Sequence, residues 1–299
     1  MIKSTHRRIR SYVRRIDWPL VVFFVLAYTI TWGLIPVLDV IARRSGLPDW
    51  RRLHAMGEVF DFDGTRLAVP EWVVYGITRV QDFAFSLAGV AVIVAVRGRA
   101  GLAELGRRLV RWRVRWYWYL VAFLPLGWYA LGVAAAGGLP SFQVSTDLVA
   151  ASLIGLDHGF IVFLLLRGAM GEEPGLRGFA LPRLLEHTTP LRASLVIGVL
   201  WGPWHLPALL GRSAVEIGLF LISVLALACV FTWLFNSTAG SLIPVLIFHA
   251  AQNSAGMVES HFPALAGSGW ELVPAVAVLV AGIAAAVWLG RRAGVSSAR

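Results

Sequence analysis

Three short stretches of this sequence set polar side chains among apolar neighbours, where each is costly to keep. The first is Gly171-Glu172-Glu173-Pro174-Gly175-Leu176-Arg177-Gly178-Phe179. Two adjacent carboxylates in a dry place cannot both ionise cheaply, so one of them is expected to serve as a general base. Arg177 follows Glu173 by four residues and shares its face if the helix continues. It can then neutralise and orient one carboxylate while the other stays reactive. Pro174 removes a backbone donor and is expected to kink the helix. Gly171, Gly175 and Gly178 admit close neighbours. The plain alternative is a helix end in the headgroup zone, with its Glu and Arg solvated.

The second stretch is Trp201-Gly202-Pro203-Trp204-His205-Leu206-Pro207. Trp201 and His205 are four apart, so indole and imidazole can pack together on one face. The two prolines break the hydrogen-bond ladder, which in a membrane is tolerated where protein or a cavity surrounds the irregular backbone. The alternative is a satisfied core histidine. The third stretch is Phe248-His249-Ala250-Ala251-Gln252-Asn253. His249 and Asn253 are again four apart and can face one cavity, or else form interhelical hydrogen bonds that hold a bundle.

What carries these residues is an apolar chain. Of 299 residues, 58% are hydrophobic and 15% charged, and mean hydropathy is +0.71. Globular domains are nearer 45–50% apolar and about 25% charged, so the solvent is a bilayer rather than water. Disorder and a disulfide scaffold are set aside, the single Cys229 being unable to pair internally. The net charge of +10 arises from 27 basic residues, of which all but Lys3 are Arg, against 17 acids. Because these cations lie between apolar runs, they point to membrane lipids and not to nucleic acid.

Eight runs are each long enough for a hydrocarbon core of ~30 Å: 19–41, 75–96, 116–136, 148–170, 193–210, 215–235, 239–258 and 271–289. The expected fold is therefore an all-α polytopic bundle of about eight transmembrane helices. Within the second run, Arg79 and Asp82 are three apart and can pair. The Arg/Trp-rich segment 97–115, with Leu102, Leu105 and Leu109 at helical spacing, reads as an amphipathic helix at the cytoplasmic interface. Cations gather in the basic N-terminus (1–18), in 97–115, after the fourth run at Arg177, Arg183 and Arg192, and at the C-terminus. The segments 137–147 and 259–270 have none, and 211–214 has Arg212 alone. Both termini are thus expected in the cytoplasm. The long mixed-charge loop 43–74 is taken as external or interfacial, and the first run as an uncleaved anchor.

Counting depth links the three stretches. Glu172 lies 11 residues from Arg183, His205 lies 13 from Arg192, and His249 lies 9 from Gly240. At 1.5 Å per residue these are about 17, 20 and 14 Å. All three can therefore meet at one level within the bilayer.

The ordered set Glu-Glu-x-x-x-Arg, aromatic-x-x-x-His and His-x-x-x-Asn, each in a successive membrane segment, resembles the CPBP family of intramembrane proteases. That family includes Rce1-type CAAX prenyl endopeptidases and bacterial Abi or bacteriocin-immunity proteins. The resemblance covers roughly 150–260 and so marks 148–260 as a core. It is preceded by spans 1–3 (19–147) and followed by the last helix with the basic C-terminus (261–299). Glu172, Glu173 and Arg177 match the first motif, with Gly178-Phe179 as its extension. His205 matches the second, with Trp201 where Phe is commoner, and His249 and Asn253 match the third. The resemblance implies that Glu172 activates water with help from His205, that His249 and Asn253 stabilise the oxyanion, and that Glu173 and Arg177 set geometry. Its substrate would be a hydrophobic or membrane-anchored, CAAX-like peptide. The chain would then be a multi-pass protein of a bacterial inner membrane, its cavity facing the cytoplasm.

Three other readings stay open. Glu172, His205 and His249 could hold zinc with water in the open position, although no His-Glu-x-x-His stretch occurs. Kinked helices with buried Glu, His and Asn also suit a transporter, and a non-catalytic immunity protein could keep the fold. His6, His54, His187 and His261 are expected to be solvated or interfacial. Asp157 and His158 fall mid-span, as core hydrogen-bond partners or cavity liners. Oligomeric state is not legible.

Overall fold

A computed structural model of the chain describes residues 17–46, 69–136, 160–161, 163–165, 167–254 and 267–296. Among these every regular element is helical. Asp157, His158, His6, His54, His261 and most of the loop 43–74 lie outside the described residues.

The first apolar run forms two helices, α1 (Trp18–Gly33) and α2 (Ile35–Ser45), with a break at Leu34. Asp17 caps α1 by accepting from the Leu20 amide, and Pro19 sits in the first turn, where its missing N–H costs nothing. The second run likewise gives α3 (Val69–Asp82) and α4 (Ala84–Leu109). Arg79 and Asp82 pair at 2.9 Å. The third gives α5 (Tyr117–Ala122) and α6 (Leu124–Ala135), parted at Phe123 just ahead of Pro125. Among the described residues, four helical stretches suffice by length and hydropathy to cross a bilayer: 18–45, 84–109, 214–237 and 272–291.

The amphipathic helix expected over 97–115 is shorter than its arginine pattern. Gly98 adopts φ 55°, ψ −144° and bends α4. The chain then leaves the helix after Leu109, because residues 110–115 alternate Val or Trp with Arg and lack strong helix formers apart from the arginines. Leu105 is buried in the bundle, whereas Leu102 faces outward.

Past its start, the core runs as α7 (Ala169–Gly175), a π turn (Leu176–Ala180) and α8 (Leu181–Leu185) in unbroken succession. The helix thus absorbs Pro174 by widening into a π turn, a distortion common at functional sites. Then come α9 (Pro190–Trp201), a 3-10 segment (Pro203–Leu209), α10 (Ala214–Ser237), α11 (Ile243–Asn253) and α12 (Leu272–Ser296). Ser213 and Glu216 form a reciprocal capping box at the start of α10.

Helix α4 packs between α1 and α7, while α10 packs on α9 and α12. The α4–α7 approach is close enough to demand glycine. A Cβ on Gly171 would fall 2.1 Å from the Asp82 carbonyl oxygen, and one on Gly175 would fall 2.1 Å from that of Phe85. Ser86 locks the pair by donating to the Met170 carbonyl at 2.7 Å.

Arginines collect at one end of the bundle. Arg183 bonds both oxygens of Asp17 at 2.7 Å. Arg111 donates to the Ala239 carbonyl at 2.9 Å. Arg97, Arg108 and Arg183 line one polar cleft, where Glu104 joins Arg97 and Arg108.

Candidate active site

The acidic pair divides at once. Glu173 and Arg177 are fully buried, and Arg177 Nη1 donates to Glu173 Oε1 at 3.0 Å, the i, i+4 pairing that the spacing allows. The guanidinium lies between two rings, with its carbon 4.7 Å from the centroid of Trp201 and 4.8 Å from that of Phe231. Cation–π attraction of this kind is strongest where water is excluded. The same Glu173 Oε1 accepts from His249 Nδ1 at 2.7 Å. Glu173 therefore holds Arg177 and His249 and does not reach the cavity.

Glu172 does. It lines a cavity of about 520 Å³ together with Trp201, His205, His249 and Asn253. One carboxylate oxygen, Oε2, accepts from the indole Nε1 of Trp201. His205 Nδ1 lies 3.0 Å from the Trp201 carbonyl oxygen, which can only accept, so Nδ1 carries the proton and Nε2 is left with a lone pair. Aromatic rings surround His205: Trp204 at 4.8 Å, Phe220 at 5.1 Å and Trp201 at 5.8 Å between centroids. His249 is packed against Phe231 and Trp201 at 5.2 and 5.7 Å.

His205 stands on the 3-10 segment between Pro203 and Pro207, beyond the end of α9. Donors from α1 hold that segment. Tyr28 Oη donates to the Leu200 carbonyl at 2.7 Å and Trp32 Nε1 to that of Trp204 at 3.1 Å, while Trp204 Nε1 donates to Thr31 Oγ1 at 2.8 Å. On the far side, Tyr129 Oη donates to the Gln252 carbonyl and steadies the end of α11.

Gly168 closes the site from another direction. Its backbone has φ 45°, ψ −99°, and a Cβ there would lie 2.4 Å from Asn253 Nδ2 and 3.5 Å from His249 Nε2. Its carbonyl accepts the Glu172 amide at 2.8 Å, so the residue that starts α7 also sets where Glu172 emerges.

Sequence reasoning joined Glu172, Glu173, Arg177, Trp201, His205, His249 and Asn253, and all seven meet in this one cluster. It missed the rest of the lining. Thr31, Gln81, Asp82 and Arg167 also line the cavity, brought there by α1, by the end of α3 and by the chain just before α7. The Arg79–Asp82 spacing was a signal that a charged group sat inside the second run. The meeting of Asp82 with Arg167, at 3.5 Å between Oδ2 and Nε, joins residues too distant in sequence to show a spacing.

Zinc can be tested on the donors. His205 Nε2 and one Glu172 oxygen are left open, so the test is whether these side chains converge. Among the described residues no three His, Cys, Asp or Glu side chains converge as a metal centre would require. The arrangement does not fit zinc, and no step is derived through it.

Residues 154–255 match the family described as type II CAAX prenyl endopeptidase Rce1-like. The CAAX prenyl protease 2 of Methanococcus maripaludis is 28% identical over 129 residues, an alignment covering 40% of this chain and 46% of that protein. The chain thus spans about half the length of the curated relative it matches. The matched segment holds every residue of the cluster from Gly168 to Asn253, and the likeness to the Rce1-like, CPBP-type family rests on it.

Proposed function

We propose that this chain is an intramembrane endopeptidase acting on CAAX-like or otherwise membrane-anchored peptides, with Glu172 as the general base. The observation that carries this reading is the division of the acidic pair. One carboxylate, Glu173, is spent on Arg177 and His249, while its neighbour Glu172 opens onto the cavity.

In the reaction, Glu172 takes a proton from a cavity water as the water oxygen attacks the scissile carbonyl carbon. The His205 Nε2 lone pair accepts the water's second hydrogen in a hydrogen bond, orienting it. The carbonyl oxygen becomes an oxyanion next to Asn253 Nδ2 and the imidazole of His249, which Glu173 orients from behind. Loss of a single such donor typically costs about 2.7–4 kcal/mol of transition-state stabilisation. The C–N bond then breaks, and the proton held by Glu172 passes to the leaving amine nitrogen. Trp201 fixes the Glu172 carboxylate by one oxygen, leaving the other to work.

The same proposal places the protein in a cell membrane as a multi-pass chain, in contact with lipid through its outward apolar side chains. The test is hydrolysis by the purified full chain of a prenylated CAAX peptide carrying a fluorophore and quencher across the scissile bond. Cleavage by the native chain and its loss in Glu172→Gln is the expected result. Equal cleavage by both would remove Glu172 from the reaction.

A further inference from the structure

The lining of the Glu172 cavity carries a cation that the hydrolytic scheme does not use. Arg167 stands immediately before Gly168, and its side chain is 16% exposed. Its guanidinium carbon lies 5.6 Å from the Phe163 ring centroid. Asp82 approaches it through Nε, at 3.5 Å, and the same Asp82 oxygen is 2.9 Å from Arg79. Among the described residues Arg167 Nη1 and Nη2 make no hydrogen bond. A guanidinium tethered by Nε and by a ring face presents its terminal edge, and that edge matches a carboxylate with two parallel N–H···O bonds.

The surroundings favour an anion. Ile35, Phe163, Leu210, Phe220, Val224 and Leu227 make much of the wall apolar. An ion pair within such a wall is screened far less than at a wet surface. The volume, about 520 Å³, falls in the range of sites for small ligands, about 300–1,000 Å³, and can hold a short peptide tail.

We propose that Arg167 is a specificity-determining residue that binds the free C-terminal carboxylate of the substrate. Asp82 positions its guanidinium, and the distance from that carboxylate to Glu172 sets how far from the C-terminus the chain is cut. This rests on the endopeptidase reading above. It predicts discrimination between peptide acids and peptide amides, a property that a structural arginine would not confer.

The experiment compares the quenched prenylated peptide acid with the same peptide ending in a carboxamide, on the full chain in detergent. A hydrogen-bonded charge of this kind is worth about a ten- to hundredfold preference, so the native chain should favour the acid by that margin in kcat/KM, chiefly through KM. In Arg167→Gln the acid-to-amide ratio should fall to about one. Arg167→Lys, which keeps charge but loses the fork, should give an intermediate ratio and covers the case in which Arg167→Gln fails to fold. A native chain that cleaves acid and amide equally, or an Arg167→Gln ratio that does not move, overturns the carboxylate assignment and leaves the hydrolase reading standing. A native chain that cleaves neither peptide overturns both.

Discussion

Glu173 Oε1 and His249 Nδ1 lie 2.7 Å apart, and the same oxygen takes a second hydrogen bond, from Arg177 at 3.0 Å. One buried atom thereby ties α7 to α11 and fixes which nitrogen of His249 is left for the cavity. The pairing gives two consecutive glutamates opposite expected phenotypes.

Glu173→Gln should destabilise the bundle, because Arg177 is fully buried and would lose its counter-charge. Breaking a buried pair from one side costs about 3–5 kcal/mol. Glu172→Gln should leave thermal stability nearly unchanged while lowering kcat by at least about 100-fold, the scale of a general base. Unfolding midpoints in detergent, read beside cleavage rates, check both. Equal thermal losses in the two variants would count against the division of the pair.

Gly168→Ala should lower both stability and activity. The new methyl would meet Asn253 Nδ2 at 2.4 Å on a backbone with φ 45°, and strain at such a position is on the order of 1–3 kcal/mol. Activity should fall further than stability alone explains, since the shift displaces Asn253 and the start of α7 together. Thermal unfolding and kcat/KM on the same preparation separate the two effects.

Strong chelation should leave peptide hydrolysis within about twofold of its starting rate. This follows from the lack, among the described residues, of three converging His, Cys, Asp or Glu side chains, since a catalytic zinc site needs three protein ligands and an open position. Rates before and after dialysis against a chelator, with and without added zinc, decide it. Loss of activity that returns with zinc would put the metal back at the site.

The membrane side of the cavity is decided by labelling. A cytoplasm-facing cavity and an arginine-rich cytoplasmic end would lie on one face. Yet α1 leads from Asp17, bonded to Arg183 at the arginine-rich end, to Thr31 at the cavity, 14 residues and about 21 Å away. Cysteines placed at Arg183 and at Leu210 should react with impermeant reagent from opposite sides, that at Arg183 from within the cell. The native Cys229 is buried and gives little background. Labelling of both from the cytoplasm would mean that the cavity opens on that side.

Hydropathy and spacing carried the helical class and the grouping of the three polar stretches, because buried polar side chains are rare enough in apolar runs to mark themselves. His205 lines the same cavity as Glu172 and His249 even though it stands on a 3-10 segment, since a few residues at 2.0 Å rather than 1.5 Å shift it little. What hydropathy could not carry were the breaks inside apolar runs. Leu34 and Phe123 interrupt helices without any drop in hydrophobicity. Nor could spacing show Arg167 beside Asp82, where the packing of α4 against α7 does the joining.

Helix α1 grips the histidine-bearing turn through Tyr28, Trp32 and Thr31, yet it lies wholly before the matched segment 154–255. A chimera that transplants that segment alone into another scaffold would arrive without the side chains that orient its imidazole. Donor and recipient would have to be exchanged as an interlocking pair, helix with turn, for a hybrid to keep its reactive centre in register.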